Sequence, residues 1–161
     1  MACDTLLHAL GDDKMTYEKS CGAVVFRSAA GENGQAEKYV LMIKHTQKSR
    51  HSFPKGHVEP GESEVMTAQR EVFEETGIHI RIVDKFRETV QYSPRPGVKK
   101  TVVYFVTETD KIETVAAENE IASVEWVPAE RAGALLAHSN DKRVLDLAIK
   151  YMDEKQDGSK I

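Results

Sequence analysis

The sequence predicts an α/β sandwich in one domain. Apolar, β-branched runs recur along the chain as candidate strands, a central segment of about 13 residues has helix boundary signals at both ends, and two further helical segments close the chain. Strands and helices alternating in this way pack as layers, with helices covering a sheet. At 161 residues the chain is long enough to bury one core.

The elements follow one another in a simple order. Residues 1 to 16 are interpreted as an N-terminal appendage, in which Leu6, Leu7 and Leu10 suit one or two helical turns, and residues 17 to 152 as the folded domain. Strands are predicted at residues 20–27, 38–43, 80–91, 101–107 and 123–127, and helices at 129–136 and 141–152. The polar tail, residues 153 to 161, is predicted to be flexible.

The central helix is predicted from its two ends. Ser63 is a suitable N-cap, Glu64 lies in the first turn, and Gly77 follows the last helical residue. At about 100° per residue, one side of this helix carries Val65, Met66, Val72 and Phe73. The opposite side carries Glu64, Glu71, Glu74 and Glu75.

That cluster of glutamates has two interpretations. Like charges three and four residues apart cost roughly 0.2 to 0.5 kcal/mol per pair on an exposed helix, so the face needs either water or a cation. It is either a solvated acidic surface, with Arg70 pairing with Glu74, or a site for a divalent cation. We favour the cation, because hard carboxylate ligands suit Mg²⁺ or Mn²⁺.

Two basic segments flank the acidic helix in the sequence. Residues 38–58 contain no acidic side chain but carry Lys38, Lys44, Lys48, Arg50 and Lys55 together with His45, His51 and His57. A second group, Arg95, Lys99 and Lys100, follows Tyr92. Basic side chains beside a metal site predict that a polyphosphate is held between them.

Composition excludes several classes of function. A net charge of −4 argues against general binding to nucleic acids or to membrane surfaces. The two cysteines, Cys3 and Cys21, have neither metal-ligand nor disulfide-framework spacing, and the N-terminus does not resemble a targeting peptide, so we expect a cytoplasmic protein. No apolar run is long enough to span a bilayer.

One segment resembles a known family. Gly56-His-Val-Glu-Pro-Gly-Glu62, followed after seven residues by Arg70-Glu-Val-Phe-Glu-Glu-Thr-Gly-Ile78, is similar to the Nudix box, with every defining position filled. Further segments, at residues 21–27, 54–62 and 100–104, are similar to diadenosine tetraphosphate hydrolases of that superfamily. The resemblance extends over about residues 17 to 152 and leaves the appendage unexplained.

The resemblance implies a Nudix-type α/β/α sandwich with a mixed β-sheet and a metal site on the exposed face of the central helix. By position, Glu74 and Glu75 are implied metal ligands, Glu71 is a ligand or the base that deprotonates the attacking water, and the backbone carbonyl of Lys55 is a further ligand. Arg70 is implied to orient the carboxylates. The implied cofactor is Mg²⁺ or Mn²⁺, and no other is expected.

Residues outside the box complete the expected site. Glu120 matches an additional metal-binding glutamate, although it also suits a solvated loop and Glu118 is the alternative. Tyr92 resembles a tyrosine that stacks on adenine, but a half-buried strand aromatic is an equal interpretation. The expected substrate-binding residues are His45, Arg50, Lys55, Tyr92, Lys100 and Tyr104.

These residues together predict a metal-dependent hydrolase of phosphoanhydride bonds that acts on a small nucleotide. The flanking segments favour diadenosine tetraphosphate, split asymmetrically to ATP and AMP. Alternatives are another Nudix substrate, such as an oxidised deoxynucleoside triphosphate or a diphosphoinositol phosphate, a catalytically silent nucleotide-sensing module, and a structural cation-binding domain. The oligomeric state stays open.

Overall fold

Residues 14–158 are described by a computed structural model of the chain. Within this range the strands are β1 (Thr16–Ala30), β2 (Ala36–His45), β3 (His51–Ser52), β4 (Lys55–His57), β5 (Arg87–Tyr92), β6 (Val98–Glu108) and β7 (Ile121–Pro128). The helices are α1 (Glu64–Thr76), α2 (Ala129–Leu135) and α3 (Ser139–Gly158). The turns predicted at Leu6, Leu7 and Leu10 lie outside the described residues.

All the strands join one mixed sheet built around β1. The order is β3-β2-β1-β6-β5, with β4 paired to β1 and β7 paired to β2. The β1–β6 pair is parallel and runs from Thr16 opposite Val98 to Phe26 opposite Glu108, whereas β2 and β4 pair with β1 in antiparallel fashion. The sheet is therefore mixed, as expected.

Side chains of β1 alternate between two buried faces of the sheet. Val24 and Phe26 pack in the core that α2 and α3 cover, whereas Ala23 and Val25 pack with Val72 of α1 on the other side. Alternation along a strand sends successive side chains to opposite faces. Helices on both faces give the three layers of the predicted α/β/α sandwich, which is confirmed.

The strand predicted over residues 80–91 is wrong in its first half, because β5 begins only at Arg87. Residues 80–86 form a loop in which Ile80 and Ile82 still pack against the cores beneath α1, whereas Val83 is exposed. The Ile82 amide donates to Gln69 Oε1 at 3.0 Å, which replaces a strand partner. An apolar alternation can therefore belong to a buried loop as well as to a strand.

Residues 153–158, assigned by the sequence to the flexible tail, continue α3 as its last turns. Two ion pairs fix this polar turn: Asp153 binds Lys38 of β2 at 2.8 Å, and Lys155 binds Asp84 at 2.7 Å. At the other end, Thr16, which was assigned to the appendage, is the first residue of β1. No helix within residues 14–158 is both long and apolar enough to cross a membrane.

Candidate active site

Helix α1 begins and ends where the sequence predicts. Ser63 Oγ accepts a hydrogen bond from the Met66 amide at 3.1 Å, and Gly77 takes a left-handed conformation (φ 75°) while its amide donates to the Phe73 carbonyl. A side-chain cap and a left-handed glycine satisfy backbone groups that a helix leaves unpaired at its ends. These local contacts fix which residues α1 presents to the sheet.

The predicted core face of α1 is partly wrong. Met66 and Phe73 are 53% and 42% exposed, and the Phe73 ring stacks on His79 with centroids 3.8 Å apart. The buried residues of α1 are Thr67, Ala68, Val72, Glu75 and Thr76. This inner face consists of small and partly polar side chains. The two threonines can be buried because their hydroxyls donate hydrogen bonds to the carbonyls of Ser63 and Val72.

Glu64 does not belong to the carboxylate cluster predicted for α1. Its side chain forms ion pairs with Lys19 of β1 at 2.6 Å and with Arg87 of β5 at 2.8 Å. These hydrogen bonds, first from Arg87 and then from Lys19, lower the pKa of Glu64 to about 2. The residue links α1 to the sheet, away from the other glutamates.

Arg70 connects the remaining carboxylates. Its guanidinium donates to Glu62 through two nitrogens, at 2.7 and 2.9 Å, to Glu71 at 2.8 Å and to Glu74 at 3.1 Å. A further bond, at 3.0 Å, goes to the carbonyl of His57 on β4. The expected pairing of Arg70 with Glu74 is present, but it is one bond in a network that sets the direction of several carboxylates.

Glu71 lies against β4 with its side chain 15% exposed. A Cβ at Gly56 would overlap the Glu71 carboxyl group, so the bare backbone at this position makes room for it. Burial raises the pKa of Glu71, and the bonds from Arg70 oppose the shift. Glycine in the β4 segment therefore determines how closely α1 and its carboxylate approach the strand.

Glu75 is a nearly buried carboxylate, with its side chain 5% exposed. The backbone amide of Lys55 donates to Glu75 Oε1 at 2.9 Å, and His45 Nε2 lies 3.8 Å from Oε2. Burial, together with the charges of Glu71 and Glu120, raises the pKa of Glu75 to about 8. An acid in this setting is stabilised as an anion only when a cation comes close.

An open groove of about 550 Å³ collects the carboxylates. Its acidic lining residues are Glu59, Glu71, Glu74, Glu75 and Glu120. Glu120 reaches the groove from the loop before β7, which Thr46 holds by donating from its amide to the Glu120 carbonyl at 2.9 Å. The alternative, Glu118, is not part of this lining.

The composition of the groove fits a hard divalent cation. It offers carboxylate oxygens from three segments, the loop before α1, α1 itself and the loop before β7, and oxygen ligands are those that Mg²⁺ and Mn²⁺ prefer. Within residues 14–158, no three His, Cys, Asp or Glu side chains converge closely enough to enclose an ion. The Nη1 atom of Arg70 bonds to both Glu71 and Glu74, so each of these carboxylates has a cation partner within the protein.

A second cavity, of about 230 Å³, opens beside the groove. Its lining includes the predicted substrate-binding residues His45, Arg50, Lys55, Tyr92 and Tyr104. His45, Lys48 and Lys55 line both the groove and the cavity, so the two spaces share a wall. A ligand in the cavity could therefore extend along this wall to the carboxylates of the groove.

Basic side chains concentrate at the shared wall. Burial, together with the neighbouring charges of Lys100 and Lys48, lowers the pKa of Lys55 to about 8. Lys100 lines neither space; it lies directly opposite Tyr92 in the β5–β6 pair, which places both side chains on one face of the sheet. A bound anion would reduce the repulsion between these positive charges.

Several residues of the site were not predicted individually. Glu62 accepts hydrogen bonds from Arg70, and these bonds lower the pKa of Glu62 to about 2. The position of Glu62 within the box segment could have identified it from the sequence. The cavity also takes lining residues from β3 and from the start of α3: His51, Ser52, His138, Ser139, Asn140 and Asp141. Nothing in the sequence pattern separates the α3 residues from an ordinary helix start.

Comparison with known proteins gives consistent matches. The model of the NUDIX domain family matches residues 18–148. The asymmetrical bis(5′-nucleosyl)-tetraphosphatase of Sus scrofa is 30% identical over 142 residues, covering 83% of this chain and 95% of the relative. A MutT4 protein of Mycobacterium tuberculosis is 29% identical over 146 residues, covering 89% of this chain but only 59% of the relative.

Solved structures agree with the sequence matches. The binary complex of a Caenorhabditis elegans Ap4A hydrolase superimposes with a TM-score of 0.75 at 26% identity, covering 85% of this chain and 98% of that one.

Proposed function

Because this chain belongs to the NUDIX hydrolase family, we propose that it hydrolyses a phosphoanhydride bond in a dinucleoside polyphosphate, with diadenosine tetraphosphate split to ATP and AMP. The observation that carries this proposal is the wall shared by a carboxylate groove and a nucleoside-sized cavity. It lets one ligand place a base in the cavity and its phosphates among the carboxylates.

The groove residues divide into ligands and a candidate base. Nudix hydrolases generally use divalent cations, and Glu71, Glu74, Glu75, Glu120 and the carbonyl of Lys55 would hold Mg²⁺ or Mn²⁺ here. The bound cation would neutralise charge on the phosphates and make a coordinated water more acidic. Glu71 is either a ligand or the acceptor of the proton from the attacking water. Arg70 fixes the orientation of Glu71 and Glu74.

The basic wall complements the phosphate chain. Lys48 and Lys55 lie between cavity and groove, where ammonium groups can pair with phosphoryl oxygens as negative charge develops on them. Arg50 adds a positive charge at the cavity, and Lys100 adds one beside Tyr92. A tetraphosphate carries enough negative charge to pair with this set of cations as well as with the metal.

The cavity suits a nucleoside. Tyr92 is 40% exposed on its wall, so its ring is available for stacking on a base. The apolar side chains of Val90 and Val102 lie on the same wall, and a cavity of about 230 Å³ has room for one base and part of its sugar. The open groove leaves the second nucleoside of the substrate outside this cavity.

Product analysis tests the proposal. The purified protein would be incubated with Mg²⁺ and, separately, with diadenosine tetraphosphate, 8-oxo-dGTP and a diphosphoinositol phosphate, and the products separated by anion-exchange chromatography. We expect ATP and AMP in equal amounts from the first substrate, at a kcat/KM well above those for the other two. Preference for another substrate would overturn the substrate assignment, and no turnover with any of them would indicate a silent module.

A further inference from the structure

A carboxylate lies in the cavity wall, where the proposed hydrolysis does not need one. Asp141, in the first turn of α3, lines the cavity together with Tyr92 and Tyr104. It does not line the groove that collects the glutamates of α1. Its side chain is therefore part of the wall around the bound base and separate from the proposed metal ligands.

The surroundings hold Asp141 in the cavity as a hydrogen-bond acceptor. The Tyr104 hydroxyl donates to Asp141 Oδ1 at 3.4 Å, which is a long bond. A carboxylate has about four acceptor positions, so Asp141 can accept further hydrogen bonds. Burial raises the pKa of Asp141, whereas the charges of Lys55 and His138 act in the opposite direction.

A carboxylate is unfavourable beside a polyphosphate unless it contacts a part of the ligand that donates hydrogen bonds. In a nucleotide the phosphates only accept, whereas the ribose hydroxyls and the exocyclic amino groups on the edge of adenine and guanine donate. Stacking on Tyr92 and packing on Val90 and Val102 would hold the flat faces of the base and leave its edge to meet a polar group of the wall.

From this arrangement we propose that Asp141 is a specificity-determining residue that accepts a hydrogen bond from the exocyclic amino group of the bound purine. The inference rests on the proposed function for the presence of a nucleoside in the cavity, and it adds the chemical feature by which the base is selected. Asp141 acts on the base alone and has no role in breaking the phosphoanhydride bond.

Deleting the amino group from the substrate tests this assignment. The kcat/KM of the wild-type protein would be compared for diadenosine tetraphosphate and for an analogue in which unsubstituted purine replaces both adenines. We expect the analogue to be roughly 10-fold poorer or worse, the loss that removal of one hydrogen bond to a charged group produces. In Asp141→Ala the two substrates should become equivalent, with kcat for diadenosine tetraphosphate less affected than KM.

Two further variants control for folding. Asp141→Asn keeps the shape and one acceptor atom, and should keep part of the discrimination. Asp146→Ala removes an exposed carboxylate of the same helix and should keep all of it. If Asp141→Ala fails to fold, Asp141→Asn becomes the deciding variant. If it discriminates between the two substrates as fully as the wild type does, the charge of Asp141 does not contribute to base selection.

Binding separates this inference from the proposed function. Calorimetry would compare ATP with purine riboside triphosphate on the wild-type protein. Tighter binding of ATP, lost in Asp141→Ala, supports the role of Asp141 even if diadenosine tetraphosphate is not cleaved, an outcome that would overturn the proposed function only. Equal cleavage and equal binding of each pair by the wild-type protein would overturn the role of Asp141 and leave the proposed function standing.

Discussion

Glu62 and Arg70 form a bidentate ion pair: Nε of the guanidinium lies 2.7 Å from Oε2, and Nη2 lies 2.9 Å from Oε1. Paired in this way, the guanidinium turns its remaining nitrogen toward Glu71 and Glu74. Because the guanidinium is planar and rigid, fixing one of its edges also fixes the direction of the hydrogen bonds that it donates to the other carboxylates. Glu62 thereby influences the groove without lining it.

We predict that Glu62→Gln lowers activity without unfolding the protein. The amide cannot hold the Arg70 fork by charge, so the guanidinium is free to pair more tightly with Glu71 and Glu74. Loss of such an outer partner typically costs about 10- to 100-fold in metal affinity or activity. Titration of activity with Mg²⁺ should show a higher half-saturating concentration; an unchanged titration curve would contradict the role of the pair.

We predict that Glu71→Gln lowers kcat by at least about 100-fold, whether Glu71 acts as base or as metal ligand. The fold should be retained, because the substitution is isosteric and α1 is capped independently by Ser63 and Gly77. Turnover would be measured alongside circular dichroism. Near-normal turnover in a correctly folded variant would exclude Glu71 from both roles.

We predict that Gly56→Ala inactivates the protein as effectively as a direct change of Glu71. Its methyl group would overlap the Glu71 carboxyl, and a displacement of about 1 Å at a reacting centre can cost about 100-fold in rate. Gly158→Ala, with no heavy atom within contact of the added methyl group, is the matched control. Wild-type kcat in Gly56→Ala would show that Glu71 can move without loss.

We predict that Tyr92→Ala raises the KM for diadenosine tetraphosphate by roughly 5- to 100-fold, since stacking on one base contributes about 1–3 kcal/mol. Tyr92→Phe keeps the ring and should keep the KM. Tyr17, which is 74% exposed on β1 and lines neither space, supplies the control substitution Tyr17→Ala. If Tyr92→Ala leaves KM unchanged, Tyr92 is an ordinary strand aromatic.

We predict that the contribution of Glu64 to stability depends on pH. Its folded-state pKa of about 2 lies below the ordinary value of 4.5, so the unfolded chain binds more protons at intermediate pH. The stabilisation is therefore fully present above about pH 4.5 and is lost as the pH falls toward 2. Urea unfolding of the wild type and Glu64→Gln should give different midpoints at pH 7 that converge near pH 2, while kcat at pH 7 stays the same.

The sequence predicted those parts of the structure that depend on local chemistry. The limits of α1 were correct because Ser63 and Gly77 act on their immediate neighbours. The face of α1 was wrong at Met66 and Phe73, because which apolar side chain is buried depends on how closely the helix approaches the sheet. Residues 153–158 looked disordered because the ion pair between Lys155 and Asp84 joins positions far apart in the chain.

In the candidate site, too, the sequence predicted what depends on neighbouring residues and missed what depends on distant ones. Three of its glutamates lie on α1, so the residue order of the box was enough to indicate them, whereas Glu120 lies outside the box, in the loop before β7. The cavity draws on six elements, β2 to β6 and α3, and the place of Asp141 in its lining depends on α3 crossing beside β5 and β6. A single aspartate at a helix start carries no local signal of that arrangement.

Lys55 serves the site through its main chain and its side chain separately. Its amide binds Glu75, and every amino acid except proline supplies that donor. Its side chain lines the shared wall, and among substitutions only arginine keeps a permanent positive charge there. Mutation at position 55 can therefore remove a positive charge from the wall while the backbone bond that holds Glu75 stays in place.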